Sequence, residues 1–459
     1  MAASCYFYMA FVPVYILILA GTIVIDYIAG IVIENSEGKK RKMFLVLSII
    51  SNVGILSFFK YYNFFTDNVN FFFNAAHIHA HATFLDIVLP IGLSFHTFQA
   101  MSYTIEVYRG NQKAERHFGV YALYVMFYPQ LVAGPIERPQ NMLHQFHEKH
   151  HFNFEDLTEG LKMMLWGFFK KTVIADRLSI IVNNVYAAPE KFDGVSLTIA
   201  VIFFSFQLFC DFSAYSDIAL GAARVMGYKL MINFNRPFSS KSISEFWRRW
   251  HISLTTWFND YVFGPANISM RNWGKRGVAV ALILTFSLSG FWHGAAWKFA
   301  VYGLIQGIGV VYEFYTKKQR KKIFSKLPLW LNTALSKFFT LSYIIFSFIF
   351  FRAATFHDAL YIFAHLGTGW GKLMSVTYIK HTLTALGDND FILGTFNVIF
   401  GLLLILFLET MHHINRNNVA IELFKNKTRV ARWSFLYFLI ISIFVFGVFK
   451  HNEFIYFQF

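Results

Sequence analysis

Two histidines stand where their chemistry would matter. His251 lies in EFWRRWHISLTTWFNDYVFGP, residues 245–265, and His293 lies in SLSGFWHGAAWKF, residues 287–299. A neutral imidazole near pH 7 can take a proton from a hydroxyl and return it to a leaving group. A hydroxyl attacking a thioester needs that base, a donor for the developing oxyanion and a dry, positioned site. His293 has the placement for a general base. Its surroundings are an apolar run that belongs in lipid, where an ionisable side chain costs about 2.5–3.5 kcal/mol and so marks function by default. No Ser-x-x-Lys, Gly-x-Ser-x-Gly or cysteine nucleophile stands out, which leaves direct transfer with one base as the simpler scheme.

The neighbours of the two imidazoles extend the same chemistry. Trp292 and Trp297 would wall the site, and Gly290 and Gly294 permit close backbone approach. Arg248 and Arg249 suit the phosphate or pantetheine of a donor. The competing reading makes them headgroup anchors together with Trp247 and Trp250. Asp211 and Asp217 in QLFCDFSAYSDIALG fall on different helix faces, so each is expected to accept hydrogen bonds from a neighbouring helix or to pair with an arginine. His96, Gln99, Tyr103 and Glu106 share one helical face, which should meet protein or a water-filled cavity. His77, His79 and His81 read as a solvated outer loop. Alternate histidines alone do not fix a metal shell, and no metal is expected. Cys5 and Cys210 sit in apolar surroundings and support neither a disulfide framework nor a cluster.

The elements that must position these residues are membrane helices. Of 459 residues, 56% are hydrophobic and 20% aromatic, in blocks of about 20 residues, the length that spans hydrocarbon as a helix. The blocks are too long for barrel strands. A net charge of +15 comes from basic residues clustered in loops, such as Lys39–Lys42 and Lys317–Lys326. That is the positive-inside pattern, and no nucleic-acid motif accompanies it. The N-terminal apolar run continues as a spanning segment, so no cleavable signal is read there.

Crossings are expected at 6–33, 43–59, 84–108, 160–182, 197–222, 337–352, 391–412 and 433–450. Residues 60–83 read as an outer loop, and 353–390 as an outer segment. Residues 118–136 carry Pro129, Gly134 and Pro135 and read as re-entrant or interfacial. Residues 224–276 stay cytoplasmic or interfacial, with a Trp/Arg-rich helix beginning near Ser244. A hairpin covers 278–315. Its ascending limb, 278–291, would reach only about 21 Å at 1.5 Å per residue. His293 is then expected at the floor of a pit opening outward. The fold class is all-α and polytopic, with about ten crossing or re-entrant segments. It forms one membrane domain over 1–459, with a catalytic core at about 84–315 and a central recessed cavity.

FWRRWHISLTTWFNDYVF followed by SGFWHGAAW resembles the membrane-bound O-acyltransferase (MBOAT) family, in its branch of alginate O-acetylation and teichoic-acid D-alanyl transfer. PQLVAGPIERP, FCDFSAYSDIALG, NFNRPF and the terminal FIYFQF are similar to that branch, and the resemblance covers most of the chain. It implies transfer of an acyl group from a cytoplasmic donor to a hydroxyl on the outer side. It also implies His293 as central catalytic histidine, His251 as the second, and a tunnel joining the two faces. The acceptor implied is a surface polysaccharide, reached with separate extracytoplasmic proteins. Gly264-Pro265-Ala266-Asn267 departs from the family's usual Leu-Gly-Gly-like turn. The chain also opens within what resembles the family's second apolar block, which implies a missing N-terminal helix.

The resulting expectation is a multi-pass O-acyltransferase of a bacterial cytoplasmic membrane that O-acetylates a cell-surface glycan. His293 and His251 are the catalytic candidates. Trp247, Arg248, Arg249, Trp250, Trp292 and Asp260 are assigned to the donor, with Gln130, Asp211 and Asn259 in support. No cofactor is expected to be tightly bound; the donor is acetyl-CoA or an acyl-carrier thioester. The expected partners are membrane lipid, that donor and an extracytoplasmic glycan or acyl-relay protein, with no nucleic acid. A proton-coupled transporter and a scaffold for glycan export are the rivals. The lack of a two-fold internal repeat counts against the transporter.

Overall fold

A computed structural model describes residues 1–414, 428–449 and 454–455. Arg416, Lys425 and Lys427 of the last basic loop, and most of the FIYFQF tail, lie outside the described residues. Among the described residues all regular structure is helical, and seven helices are long and apolar enough to cross a membrane. The expected total of about ten also counted short or re-entrant segments, and 118–126 is one such short helix; the expected crossing at 84–108 is a shorter, more polar helix at 93–109. The helices group into two compact units, residues 1–161 with 219–232, and residues 162–218 with 233–459.

The first unit contains α1 (Ala2–Met9), α2 (Ile16–Glu34), α3 (Gly38–Leu56), α4 (Tyr62–Ala75), α5 (Leu93–Arg109), α6 (Phe118–Met126) and α7 (Pro139–Met142). A π-helical turn at Ser57–Tyr61 joins α3 to α4, so the helix runs on to Ala75 where an outer loop was expected from residue 60. Phe and Tyr carry enough apolar surface to continue a membrane helix despite the scattered Asn and Asp. The next helix begins at Leu93 rather than at 84, and the intervening 79–90 is irregular. His77, His79 and His81 are exposed there.

Helix α5 is buried nearly all round, so its polar stripe faces protein, as does the rest of it. Glu106 accepts bonds from Arg109, Asn111 and Gln140 at 3.2, 2.9 and 2.7 Å. Asp26 is likewise satisfied, by Ser48 at 2.6 Å and Asn52 at 2.8 Å. Residues 127–136 are irregular and buried, the condition under which non-helical backbone is tolerated at membrane depth. Gly92, at φ 73°, sits against the Leu131 carbonyl, where a side chain would collide.

Helix α8 (Phe154–Phe169) begins in the first unit and continues into the second. There a π-helical stretch at Lys170–Ala175 leads into α9 (Asp176–Ala187). α10 (Gly194–Val225) likewise contributes residues to both units. The second unit holds α11 (Ile243–Trp247), α12 (Ile252–Phe258), α13 (Gly264–Ser269), α14 (Lys275–His293), α15 (Trp297–Phe324) and α16 (Leu329–Arg352). α17 (Phe356–His365), α18 (Val376–Leu386), α19 (Phe391–Ile414) and α20 (Arg429–Phe446) complete it. The expected outer segment 353–390 therefore contains two helices. The first is started by a reciprocal Thr355–Asp358 capping box.

The hairpin differs from expectation. α14 has 19 residues, about 28 Å at 1.5 Å per residue, which is close to a full span. It opens at Lys275, because basic residues at a helix end reach the interface, and it runs to His293 itself. Limb length therefore gives no reason for a recessed histidine. Gly290 and Gly303 face each other so closely that a Cβ on either would strike the opposite backbone. This contact brings α14 and α15 together with almost no side chain between them.

Candidate active site

The helix expected from Ser244 through His251 is two helices with a break. Ser242 caps α11 through Oγ, which accepts the Glu245 N–H. The carboxylate of Glu313 on α15 accepts the N–H groups of Ile243 and Ser244, at 2.7 and 3.0 Å. The chain then turns, and His251 takes a left-handed conformation at φ 44°, ψ 54°, before α12 starts. For a non-glycine residue this costs on the order of 1 kcal/mol and persists only where surrounding contacts hold it.

Asn233 supplies those contacts. Its carbonyl accepts the Ile252 N–H at 2.9 Å, and the Asn235 N–H bonds the Arg249 carbonyl at 2.9 Å. The Asn233 Oδ1 accepts the Ser253 N–H at 3.2 Å and the Ser253 hydroxyl at 3.0 Å. His251 Nδ1 lies 3.2 Å from the same oxygen. Because a backbone N–H can only donate, the shared atom is the amide oxygen, and Nδ1 must carry a proton. Neutral His251 then holds its lone pair on Nε2. The imidazole is fully buried, with the Phe212 ring at 4.6 Å. Burial first, and the charge of His293 second, hold its pKa well below the ordinary histidine value.

His293 is the last residue of α14, with Gly294 following. It too is buried. Its ring lies 5.0 Å from Trp292, 5.2 Å from Phe351 and 6.4 Å from Tyr302. Trp292 also lies 6.1 Å from His251, so one indole touches both imidazoles. Trp297 is 62% exposed; Tyr302 and Phe351 take the place beside His293 expected for it. The reason is that α15 starts at Trp297, and the next turns of that helix, not its first residue, pack onto α14.

The other expected residues separate. Trp247 is buried and donates through Nε1 to Gln306 at 3.1 Å, and Gln306 donates in turn to Ser347 at 2.5 Å. Trp250 stacks on Phe246 at 5.3 Å. Arg249 pairs with Glu245 at 2.8 Å and bonds the Asn235 carbonyl, which ties the turn together. Arg248 is exposed, as are Asn259 and Asp260, whose side chains meet each other at 3.3 Å. Gln130 belongs to the first unit, where its amide donates to the Tyr124 carbonyl.

Asp211 pairs with lysine, not arginine. Lys171 bridges Asp211 at 2.7 Å and Asp176 at 3.0 Å, and the Ile455 N–H caps the other Asp211 oxygen at 2.7 Å. Lys170 pairs with Asp217 at 2.8 Å. Along α10 it is Phe212, about 100° further round, that faces His251.

Among the described residues, two buried imidazoles lie against one indole in a helical protein with seven helices long and apolar enough to cross a membrane. The profile of the membrane-bound O-acyltransferase (MBOAT) family matches residues 116–354. The chain is 33% identical over 395 residues to a peptidoglycan O-acetyltransferase of Helicobacter pylori, covering 78% of this chain and 71% of that one. It is 36% identical over 302 residues to a protein of Azotobacter vinelandii named as the probable alginate O-acetylase AlgI, covering 64% and 59%. It is 31% identical over 284 residues to a teichoic acid D-alanyltransferase of Bacillus subtilis, covering 59% and 71%. The chain belongs to the membrane-bound O-acyltransferase family, and it is a multi-pass membrane enzyme that transfers acyl groups.

Proposed function

We propose that this enzyme moves an acetyl group from a cytoplasmic thioester to a hydroxyl of an extracytoplasmic glycan, within a bacterial cytoplasmic membrane. The observation that carries the reading is the pair of buried imidazoles on one indole, the first with its tautomer set by Asn233. His293 acts as general base. It takes the acceptor proton as the hydroxyl oxygen attacks the thioester carbonyl. The tetrahedral intermediate collapses with cleavage of the C–S bond, and the proton passes to the departing thiolate. His251 presents Nε2 as the second acceptor of that proton, and the aromatic enclosure excludes water.

The donor is acetyl-CoA or an acyl-carrier thioester, and a separate extracytoplasmic protein assists the acceptor side. Acetyl is favoured over D-alanyl because relatives named as O-acetylating enzymes align with up to 78% of the chain, against 57% and 59% for the two named as D-alanyl transferring. Among the groups that motivate a proton-transporter reading, Asp211 and Asp217 are each ion-paired to a lysine, which weighs against that reading. The test is a cell lacking this protein, complemented with wild type or with His293→Ala. Alkali-released acetate on surface glycan should fall to the level of the empty strain in the variant. Unchanged acetate at equal protein level would overturn the assignment.

A further inference from the structure

We infer that the second unit carries a binding site for one anionic phospholipid, in the crevice between α15 and α16 at their lysine-rich ends. The crevice has a volume of about 930 Å³. Its walls are two matched helical faces. Gly309, Glu313, Lys317, Arg320 and Lys321 form one stripe along α15, at spacings of four, eight, eleven and twelve residues. Asn332, Ser336, Phe339, Thr340 and Tyr343 form the opposing stripe on α16.

The polarity of the crevice changes along its length as a phospholipid does. At one end the lining is apolar, with Ile308, Phe339 and Tyr343. Nine residues along α15, about 13 Å at 1.5 Å per residue, Lys317, Arg320 and Lys321, joined by Lys241, bring positive charge to a lining that also holds Ile323 and Phe324. Among the described residues only one acidic side chain lines it. That one, Glu313, is committed to the N–H groups of Ile243 and Ser244 and to the Ser244 hydroxyl. Arg320 leans on Glu313 and Thr316; Lys317 and Lys321 are exposed at the mouth.

The mouth also lies at the right depth. Leu329 and Trp330, the first residues of α16, are 79% and 72% exposed, where an aromatic anchor marks the membrane–water boundary. The basic run Lys317–Lys326 assigns that boundary to the cytoplasmic leaflet. Basic pockets between membrane helices on this face recognise phosphate headgroups, while the apolar end receives an acyl chain. A free phosphate compound would use only the basic end and would leave the apolar end in contact with water. The site commits to lipid for that reason.

The experiment reads lipid retention and is independent of acyl transfer. Delipidated full-length protein in mild detergent is mixed with equal phosphatidylglycerol, cardiolipin and phosphatidylcholine, and bound lipid is read by native mass spectrometry. Wild type should retain an anionic lipid selectively. Lys317→Ala/Lys321→Ala should weaken that retention on the order of tenfold, the size expected for two basic groups at a lipid headgroup. Ser336→Trp, which fills the crevice and keeps every charge, should abolish it. Coenzyme A at millimolar concentration, added as a free-phosphate competitor, should not displace the lipid. Retention blind to headgroup charge, retention unchanged in both variants, or displacement by coenzyme A would each overturn the inference.

Discussion

At the residue scale, the decisive feature is an amide oxygen that two N–H groups and a hydroxyl share. Asn233 fixes both the strained backbone of His251 and the nitrogen that holds its lone pair. Asn233→Ala should therefore lower kcat by roughly 10²-fold, the low end for losing an acid–base contribution, with a smaller change in KM. Asn233→Asp keeps the acceptor and should recover much of the rate. It also adds a negative charge beside an imidazole whose pKa is held low by burial. That charge favours the imidazolium, so the pKa rises. Wild-type kcat should then be flat between about pH 6 and 8 as far as His251 is concerned, whereas the Asp variant should lose activity as pH falls through that window. A pH–rate profile of both, in detergent or vesicles with a chromogenic thioester donor, reads the difference. Identical profiles would mean that His251 takes no part in proton transfer. Asn233 was visible in the sequence only within NFNRPF, as part of a family resemblance. Its use could not be read there, because the bond joins residues 18 apart across an irregular turn.

At the element scale, two helix contacts hold the site. The first is the glycine contact between α14 and α15. Replacing Gly303 with Leu forces the helices apart, an overpacking change that typically costs about 1–3 kcal/mol and here displaces the end of α14 that carries His293. The variant should lose both thermal stability in detergent and activity. Leu304→Ile and Ile308→Leu, at exposed positions on the same stretch of α15, should lose neither. The second is the π-helical stretch at Lys170–Ala175. It aims consecutive lysines at different carboxylates of α9 and α10. Lys171→Met leaves Asp211 and Asp176 buried without their cation, a loss that typically costs about 3–5 kcal/mol. Lys170→Met should cost less, because Asp217 is partly exposed; thermal denaturation of the two variants ranks them. Most of the long helices were legible from apolar block length, and so were the buried stripe of α5 and the irregular stretch near Gly134, whereas α4, α17 and α18 fall where outer loops were expected. The extent of α14 and the break at His251 were not. The basic residues at 275 and 276 masked the true start of α14, and a single histidine inside an apparently helical run does not announce a left-handed turn. The lysine pair was legible in principle, since two lysines inside a crossing demand carboxylates, and Asp176, Asp211 and Asp217 follow on the next two helices.

At the scale of the whole molecule, acyl transfer across a membrane requires that donor and acceptor meet the enzyme from opposite faces. The charge bias places Lys317–Lys326 inside, with the segment 353–390 outside. The second unit supplies a reporter for each side. Lys318 is exposed near the end of α15, and Met374, 96% exposed, lies in the turn before α18. The native cysteines interfere little, because Cys210 is buried and Cys5 only partly exposed; replacing Cys5 with Ser removes the remaining background. In intact spheroplasts a membrane-impermeant maleimide should label Met374→Cys and spare Lys318→Cys until the membrane is opened. Labelling of both sites before lysis would mean a leaky preparation, which a cytoplasmic control protein detects. The reverse order would invert the topology. The basic crevice would then face outward, the thioester would have to arrive from a compartment without it, and the direction assigned to acyl transfer would be untenable. The expected order leaves the lysine-rich ends of α15 and α16 on the donor side and the α17–α18 segment on the acceptor side. In the proposed reaction His293 and His251 would be the relay by which a proton leaving an outer hydroxyl reaches an inner thiolate without crossing lipid.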